Sequence, residues 1–396
     1  MITYKLISKN KNTFWRFVRG IRQRNDNTNI NTTTPTSTEN EPSPLDDLLE
    51  GFKDSGQKRD LKRQRVDQID FSHIPIEKQV VIFCPGQGTQ TVGMLKKTKE
   101  ENPKALRLVE EASEILGYNL QKLIDEGPSS KLNQTIYTQP AVVVSSMVGY
   151  ENLKLLRPGV EESLTSIAGY SVGEYTAAII SGVLSFSDAI KIIKIRSEVM
   201  HKCCQYTPSK MIVVSVKAQS KLPQLLIDSK SFATENNDVP LCEVASDLFT
   251  GHKVIGMSNG CYEYFNKYAS NYDVKLGKEL AVEGAFHTRL MSEAVEELTS
   301  AFNDINVEEP FCNFYSNLTG KVMPRKKNLI KKCLVNQVCN PIKWEQIQQL
   351  IYRNHKKVNE KYSFPMYFEV GPGRTLGAMW ANISKKAYKN YVHISC

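Results

Sequence analysis

Val80-Val81-Ile82-Phe83 is a continuous apolar run followed at once by Cys84-Pro85-Gly86-Gln87-Gly88, the pattern of a fully buried strand that ends in a tight turn. Beyond it the periodicity changes. The spacing predicts a helix around Lys104 to Leu116, another around Ala141 to Leu156, a strand at Leu164 to Ala168 and a helix after Gly173. Strands alternating with helical stretches argue an α/β fold with a parallel sheet. Between about Tyr206 and Asp273 the texture breaks into short strand-like runs, Met211 to Val216 and Lys253 to Met257, with helical pieces such as Tyr262 to Ser270. This predicts a smaller α+β unit, residues 206–273, inserted into a large domain of residues 79–205 and 274–396. No internal repeat of solenoid period is visible.

The chain upstream of Gln79 reads differently. In residues 1–25, Phe14, Trp15, Phe17, Val18 and Ile21 gather along one side of a helix, with seven Lys and Arg and no acid. That basic, amphipathic, acid-free pattern resembles a mitochondrial presequence and predicts delivery to the matrix. Residues 26–78 are expected to be a linker and a charged helical segment. Asn25 to Pro44 is too rich in Asn, Thr, Ser and Pro to bury a core, and Leu45 to Ile69 carries only the stripe Leu45, Leu48, Leu49 and Phe52.

Composition narrows the classes. With 41% hydrophobic and 23% charged residues among 396, a wholly disordered, collagen-like or multi-span membrane protein is excluded. The most apolar stretch, Pro140 to Val148, is too short to cross a bilayer and is interrupted by Ser145 and Ser146. The net charge of +9 sits mostly in the presequence-like segment, and the nearly neutral remainder argues against a nucleic-acid partner. Nine cysteines without a CxxC pair, Cys203 and Cys204 being adjacent, fit a reducing compartment and no structural metal.

Gly169-Tyr170-Ser171-Val172-Gly173 matches the G-x-S-x-G nucleophile elbow and has the context the motif requires, a strand before it and a helical stretch after it. Glycines flank such a serine because a strained strand-to-helix turn leaves no room for side chains. A serine hydroxyl needs a base, and six histidines are on offer. His73 precedes the folded body, His393 lies in the C-terminal tail, His355 sits in a charged stretch, and His201 falls toward a helix end, where capping is its ordinary role. His252 and His287 remain, and His287 in Gly284-Ala285-Phe286-His287-Thr288 is preferred because it joins an extended segment to a helix. The glycines around Gln87 let main-chain N–H groups approach a ligand or a developing oxyanion. The loop lacks the Walker Lys-Ser/Thr ending of a phosphate loop.

Together these segments resemble the malonyl-CoA:acyl carrier protein transacylases. The likeness runs from about Gln79 to Val392, with FCPGQGTQTVGM, TQPA, GYSVGEYTA, the arginine of KIRSEVM, GAFHTRLM, QVCNPIKW and FEVGPG in the family's order. It implies an α/β-hydrolase-like large domain with a parallel sheet and an inserted ferredoxin-like small α+β domain. It further implies Ser171 as the nucleophile, His287 as general base and acid, the Gln337 main-chain carbonyl as the group orienting the imidazole, and the N–H groups of Gln87 and Val172 as the oxyanion hole. Arg196 matches the arginine that holds the malonyl carboxylate, a task for a planar fork. Lys275 and Lys278 fall where the family docks its acidic carrier. The basic cluster Arg325, Lys326, Lys327, Lys331 and Lys332 reads as a solvated charge run. No bound cofactor or metal is implied; malonyl-CoA is the substrate and phosphopantetheinylated acyl carrier protein the partner, in mitochondrial type II fatty acid synthesis. The chain departs from the common pattern at Tyr170, where many members carry histidine, and at Cys84, an insertion.

Two other readings compete. A serine hydrolase or thioesterase could share the elbow, though Arg196 and the missing acid position suit a transacylase better. A catalytically silent binding or RNA-associated mitochondrial protein is the second.

Overall fold

The computed structural model describes residues 67–358 and 361–396. The presequence-like residues 1–25 and residues 26–66 of the expected linker lie outside them. Eleven strands are present among the described residues: Val80–Cys84 (β1), Leu164–Gly169 (β2), Ser209–Ser215 (β3), Cys242–Phe249 (β4), His252–Ser258 (β5), Lys275–Glu279 (β6), Asn313–Tyr315 (β7), Lys356–Val358 (β8), Lys361–Ser363 (β9), Met366–Val370 (β10) and Tyr391–Ile394 (β11).

Five of them form a wholly parallel sheet in the order β11-β10-β1-β2-β7. Every residue of β1 and β2 is buried, as expected of strands covered on both faces, which is why they read as unbroken apolar runs rather than as alternation. Helices Arg107–Leu116 (α1), Thr135–Leu156 (α2), Gly173–Ile180 (α3) and Phe186–Tyr206 (α4) contribute to the large core cluster.

α2 starts six residues earlier than the hydrophobic pattern suggests and holds Pro140 inside it. Proline removes the hydrogen bond to the carbonyl four residues back. Here that carbonyl, of Ile136, accepts the Ser197 hydroxyl of α4 at 3.4 Å instead.

The second sheet is antiparallel, ordered β4-β5-β3-β6. With helices Leu222–Glu235 (α5) and Asn259–Tyr268 (α6) it has the succession β3-α5-β4-β5-α6-β6, the ferredoxin-like arrangement. The expected boundary at Asp273 cuts this sheet. Its strand β6 follows that residue, and Lys-Leu-Gly-Lys-Glu gave no strand signal because four of its five residues are exposed at an edge.

The other expected boundary moves as well. Residues 67–78, expected to belong with the linker and charged helical segment, dock at the amino ends of the parallel strands. Ile69 exchanges two hydrogen bonds with the Asn313 side chain, at 2.8 and 3.1 Å, and Ile76 is buried. A few apolar anchors suffice where a polar partner satisfies the backbone. No helix among the described residues is long and apolar enough to cross a membrane.

Candidate active site

The carboxyl ends of β1 and β2 converge on the elbow, at the edge of the sheet where open α/β proteins place their ligands. Ser171 has φ 54°, in the left-handed region. A Cβ at Gly173 would lie 2.2 Å from the Cys84 carbonyl oxygen, and one at Gly169 would lie 1.9 Å from the Gly173 carbonyl oxygen. Backbone thus packs on backbone here, and only glycine fits. Tyr170 N–H donates to the Cys84 carbonyl at 2.9 Å, tying the two strand ends together.

This turn presents the Ser171 hydroxyl to His287, with Oγ 2.7 Å from Nε2. On the far side of the ring, Nδ1 is 2.7 Å from the Gln337 carbonyl oxygen. A carbonyl only accepts, so Nδ1 carries the proton and the Nε2 lone pair faces the serine. The histidine backbone is itself left-handed, φ 59°, and its N–H donates to the Val338 carbonyl at 3.0 Å. Burial, with the Arg196 charge adding to it, pushes the imidazole down to about 3, against the opposing bond to Gln337. At neutral pH the ring is an uncharged acceptor.

Arg196, on α4, is 0% exposed. Its Nη1 donates to Gln139 Oε1 at 2.5 Å, and Nη2 lies 3.4 Å from both Ser171 Oγ and Gln337 Oε1. Its Nε has no hydrogen-bond partner, and no carboxylate among the described residues pairs with it within 4.0 Å. An unpaired buried cation is costly unless an anion completes it. The arrangement is therefore suited to an anionic acyl group beside the serine.

The main-chain N–H groups of Gln87 and Val172 donate to nothing among the described residues. Gly86 allows the approach, since a Cβ there would meet the Tyr170 carbonyl at 2.5 Å. Cys84 is buried at the end of β1, where desolvation pushes its thiol up, and Tyr170 packs edge-on against Trp344 with ring centroids 5.5 Å apart.

Ser171, His287, Gln337 and Arg196 are brought together, with the Gln87 loop beside them. Lys275 and Lys278 are exposed on strand β6, at the edge of the antiparallel sheet. The remaining histidines are occupied elsewhere. His252 stacks on Phe249, with centroids 4.3 Å apart, and His201, rather than capping its helix, holds Glu283 at 2.9 Å. Three side chains in the site carried no assigned role in the sequence: Gln139, Asn317 and Glu174. Gln139 and Glu174 lay within the quoted TQPA and GYSVGEYTA motifs, which were the available signals. Among the described residues no group of three or more His, Cys, Asp or Glu side chains could hold a metal, and all nine cysteines are free.

A serine-histidine pair on a strained elbow, with free amides and a buried cation alongside, fits an enzyme of the acyltransferase class, and residues 81–359 match the acyl transferase domain family. The human mitochondrial malonyl-CoA-acyl carrier protein transacylase is 36% identical over 315 residues, 78% of each chain. Among solved structures, the acyl-carrier-protein-S-malonyltransferase from Bartonella henselae superposes with a TM-score of 0.69 at 25% identity, covering 80% of this chain and 96% of its own. A malonyl-transacylase solved in complex with a type II PKS acyl-carrier protein gives 0.67 at 25% identity, over 80% and 94%. The chain belongs to the malonyl-CoA-acyl carrier protein transacylase family, and its relatives assign it to the mitochondrion.

Proposed function

We propose that this protein moves a malonyl group from malonyl-CoA to the phosphopantetheine thiol of acyl carrier protein through a malonyl-serine, in the mitochondrial matrix, serving type II fatty acid synthesis. The observation that carries the reading is the Ser171–His287–Gln337 line standing beside the unpaired Arg196 guanidinium.

In the first half-reaction Ser171 Oγ attacks the thioester carbonyl while its proton passes to His287 Nε2. The negative charge on the former carbonyl oxygen is met by the N–H groups of Gln87 and Val172. Collapse expels the CoA thiolate, which takes the proton back from His287. The carrier thiol then repeats the sequence in reverse roles and leaves with the malonyl group. Gln337 holds the imidazole in one tautomer through its carbonyl, replacing the carboxylate of a triad. Arg196 grips the malonyl carboxylate, the only part of the acyl group that distinguishes it from acetyl in charge. The parallel-sheet body is the catalytic domain and the ferredoxin-like unit is an insertion within it, with Lys275 and Lys278 on its edge strand meeting the acidic carrier.

Brief exposure to malonyl-CoA should add one malonyl mass to the intact chain, at Ser171, and addition of phosphopantetheinylated carrier should remove it as malonyl-carrier. Release of free malonate with no carrier present would identify a hydrolase instead.

A further inference from the structure

Glu174 is the second residue of α3, three positions after Ser171, and it is 0% exposed. No step described above uses it, and a buried carboxyl group calls for a reason. Its Oε1 accepts the main-chain N–H of Asn317 at 2.9 Å, while Oε2 has no partner. Asn317, also 0% exposed, spends both ends of its side-chain amide on the elbow. Oδ1 accepts the Ser171 N–H at 2.8 Å, and Nδ2 donates to the Gly169 carbonyl at 2.6 Å. The two residues flanking Tyr170 are therefore gripped from one side. The carbonyl of Asn317 is in turn held by Lys343 N–H at 3.1 Å, leaving its amide as the end that Glu174 secures.

We propose that Glu174 is a positioning residue for Ser171: acting through Asn317, it keeps the left-handed turn in the shape that sets the serine hydroxyl on His287 and aims the Val172 amide at the acyl carbonyl. The inference rests on the reading of Ser171 as the nucleophile. A non-glycine residue in the left-handed region persists only where its surroundings over-determine it. Here the over-determination comes from outside the turn, from one side-chain amide whose donor and acceptor match the two groups the turn leaves open. Asparagine is required for this, because aspartate would set an acceptor against the Gly169 carbonyl. Glutamate serves at 174 because its chain reaches Asn317 from the helix that the elbow itself begins. Burial outweighs the nearby Arg196 charge and pushes its carboxyl up to about 8. The side chain thus stays largely uncharged at neutral pH and leaves the guanidinium to an incoming anion.

The test compares full-length wild type, Glu174→Ala and Glu174→Gln in two single-turnover assays read by intact mass. One is malonylation by malonyl-CoA. The other is labelling by a fluorophosphonate, which needs the serine, its base and the oxyanion amides but no carboxylate pocket. Alanine leaves the Asn317 N–H without its acceptor and should slow both reactions about 10- to 100-fold, the scale of a small displacement in an oriented site, with the malonyl-CoA concentration at half-saturation little changed. Glutamine keeps the acceptor and should restore both to within about threefold of wild type. Alanine rates within twofold of wild type, or glutamine as slow as alanine, would overturn the role. If the alanine variant does not fold, Asn317→Asp answers the same question, since it keeps an acceptor for Ser171 and loses the donor to Gly169. It should slow both reactions, and unimpaired rates would refute the proposal. A wild-type chain labelled by the fluorophosphonate but not malonylated would count against the substrate reading, while the labelling ratios would still decide the case of Glu174.

Discussion

β1 and β2 of the parallel sheet are buried from end to end, whereas β6 of the antiparallel sheet exposes four of its five residues. The first kind of strand has nothing to offer along its length. What it supplies is a rim, because parallel strands bring all their carboxyl ends to one edge, and there β1 contributes the Gln87 loop and β2 the elbow. The second kind presents main-chain groups and lysines sideways to solvent, where a partner could reach them. If the proposed roles hold, chemistry and partner recognition belong to different sheets, and substitutions should separate along that line. Changes at the rim should alter malonylation itself. Changes on β6 should be felt only when the carrier is present.

The largest effect is expected at the rim. Ser171→Ala removes the one atom to be acylated, so no malonyl adduct should form and transfer should vanish, while the folded core loses only a hydroxyl. His287→Ala should follow with a loss of about 10²–10⁴-fold in malonylation. His252→Ala, in the second sheet, should leave that rate within about twofold.

The pH profile sharpens the same contrast. Because burial holds His287 down to about 3, the imidazole should remain an acceptor as pH falls well below 6, so single-turnover malonylation should stay flat from about pH 8 to about pH 5. The linked stability has a definite sign. The unfolded imidazole titrates near 6.5, above the folded value, so the unfolded chain binds more protons in between. This contribution is fully present above about 6.5 and is lost progressively as pH falls toward 3. A midpoint of activity near 6.5 would show that the ring is solvated and the buried geometry wrong.

These contrasts also explain what could be read from the letters. β1 and the elbow were legible because burial on both faces and the steric demand for Gly169 and Gly173 leave direct marks on residue type. Ser171 came from the same local logic, and the preference for His287 from its place between an extended segment and a helix. Arg196 was not legible in this way, since an arginine on an amphipathic helix ordinarily faces water, and only the family resemblance singled it out. Gln337 meets His287 through its carbonyl, which any residue possesses, so its identity carries no signal. Asn317 was missed because it lies 146 residues from Ser171, and Glu174, though inside the quoted GYSVGEYTA motif, drew no role because its contact is with Asn317, 143 residues away. β6 was missed for the opposite reason, as an exposed edge imposes almost nothing on its side chains.

Arg196→Ala tests whether the rim distinguishes acyl groups as well as activating them. The variant removes a buried guanidinium that meets only neutral groups, Gln139, Gln337 and Ser171, by direct hydrogen bonds. Loss of a charge-assisted hydrogen bond costs about 1.5–3 kcal/mol, or roughly one to two decades in malonyl kcat/KM. Acetyl transfer should fall less, or rise, since acetyl has no carboxylate to lose. Equal losses for both acyl groups would mark Arg196 as a structural residue of the rim.

The smallest effect, and the one that isolates the second sheet, is expected from charge reversal at Lys275 and Lys278. Both are exposed on β6, and neither forms an ion pair with any other described residue. The rival basic cluster is less free: Arg325 pairs with Glu309 at 2.7 Å, Lys327 with Glu308 at 2.8 Å, and Lys331 donates to the Phe302 carbonyl at 2.6 Å. Cations already engaged have less to give an incoming partner, so β6 is the better candidate for an acidic carrier. Docking of this kind acts mainly on association and is screened by salt. Lys275→Glu with Lys278→Glu should raise the carrier KM several-fold and flatten its dependence on ionic strength, while malonylation of Ser171 by malonyl-CoA proceeds at the wild-type rate. A carrier KM that does not move would take docking away from this edge. A collapse of malonylation would show that β6 supports the His287 segment it precedes, and the division of labour between the sheets would have to be redrawn.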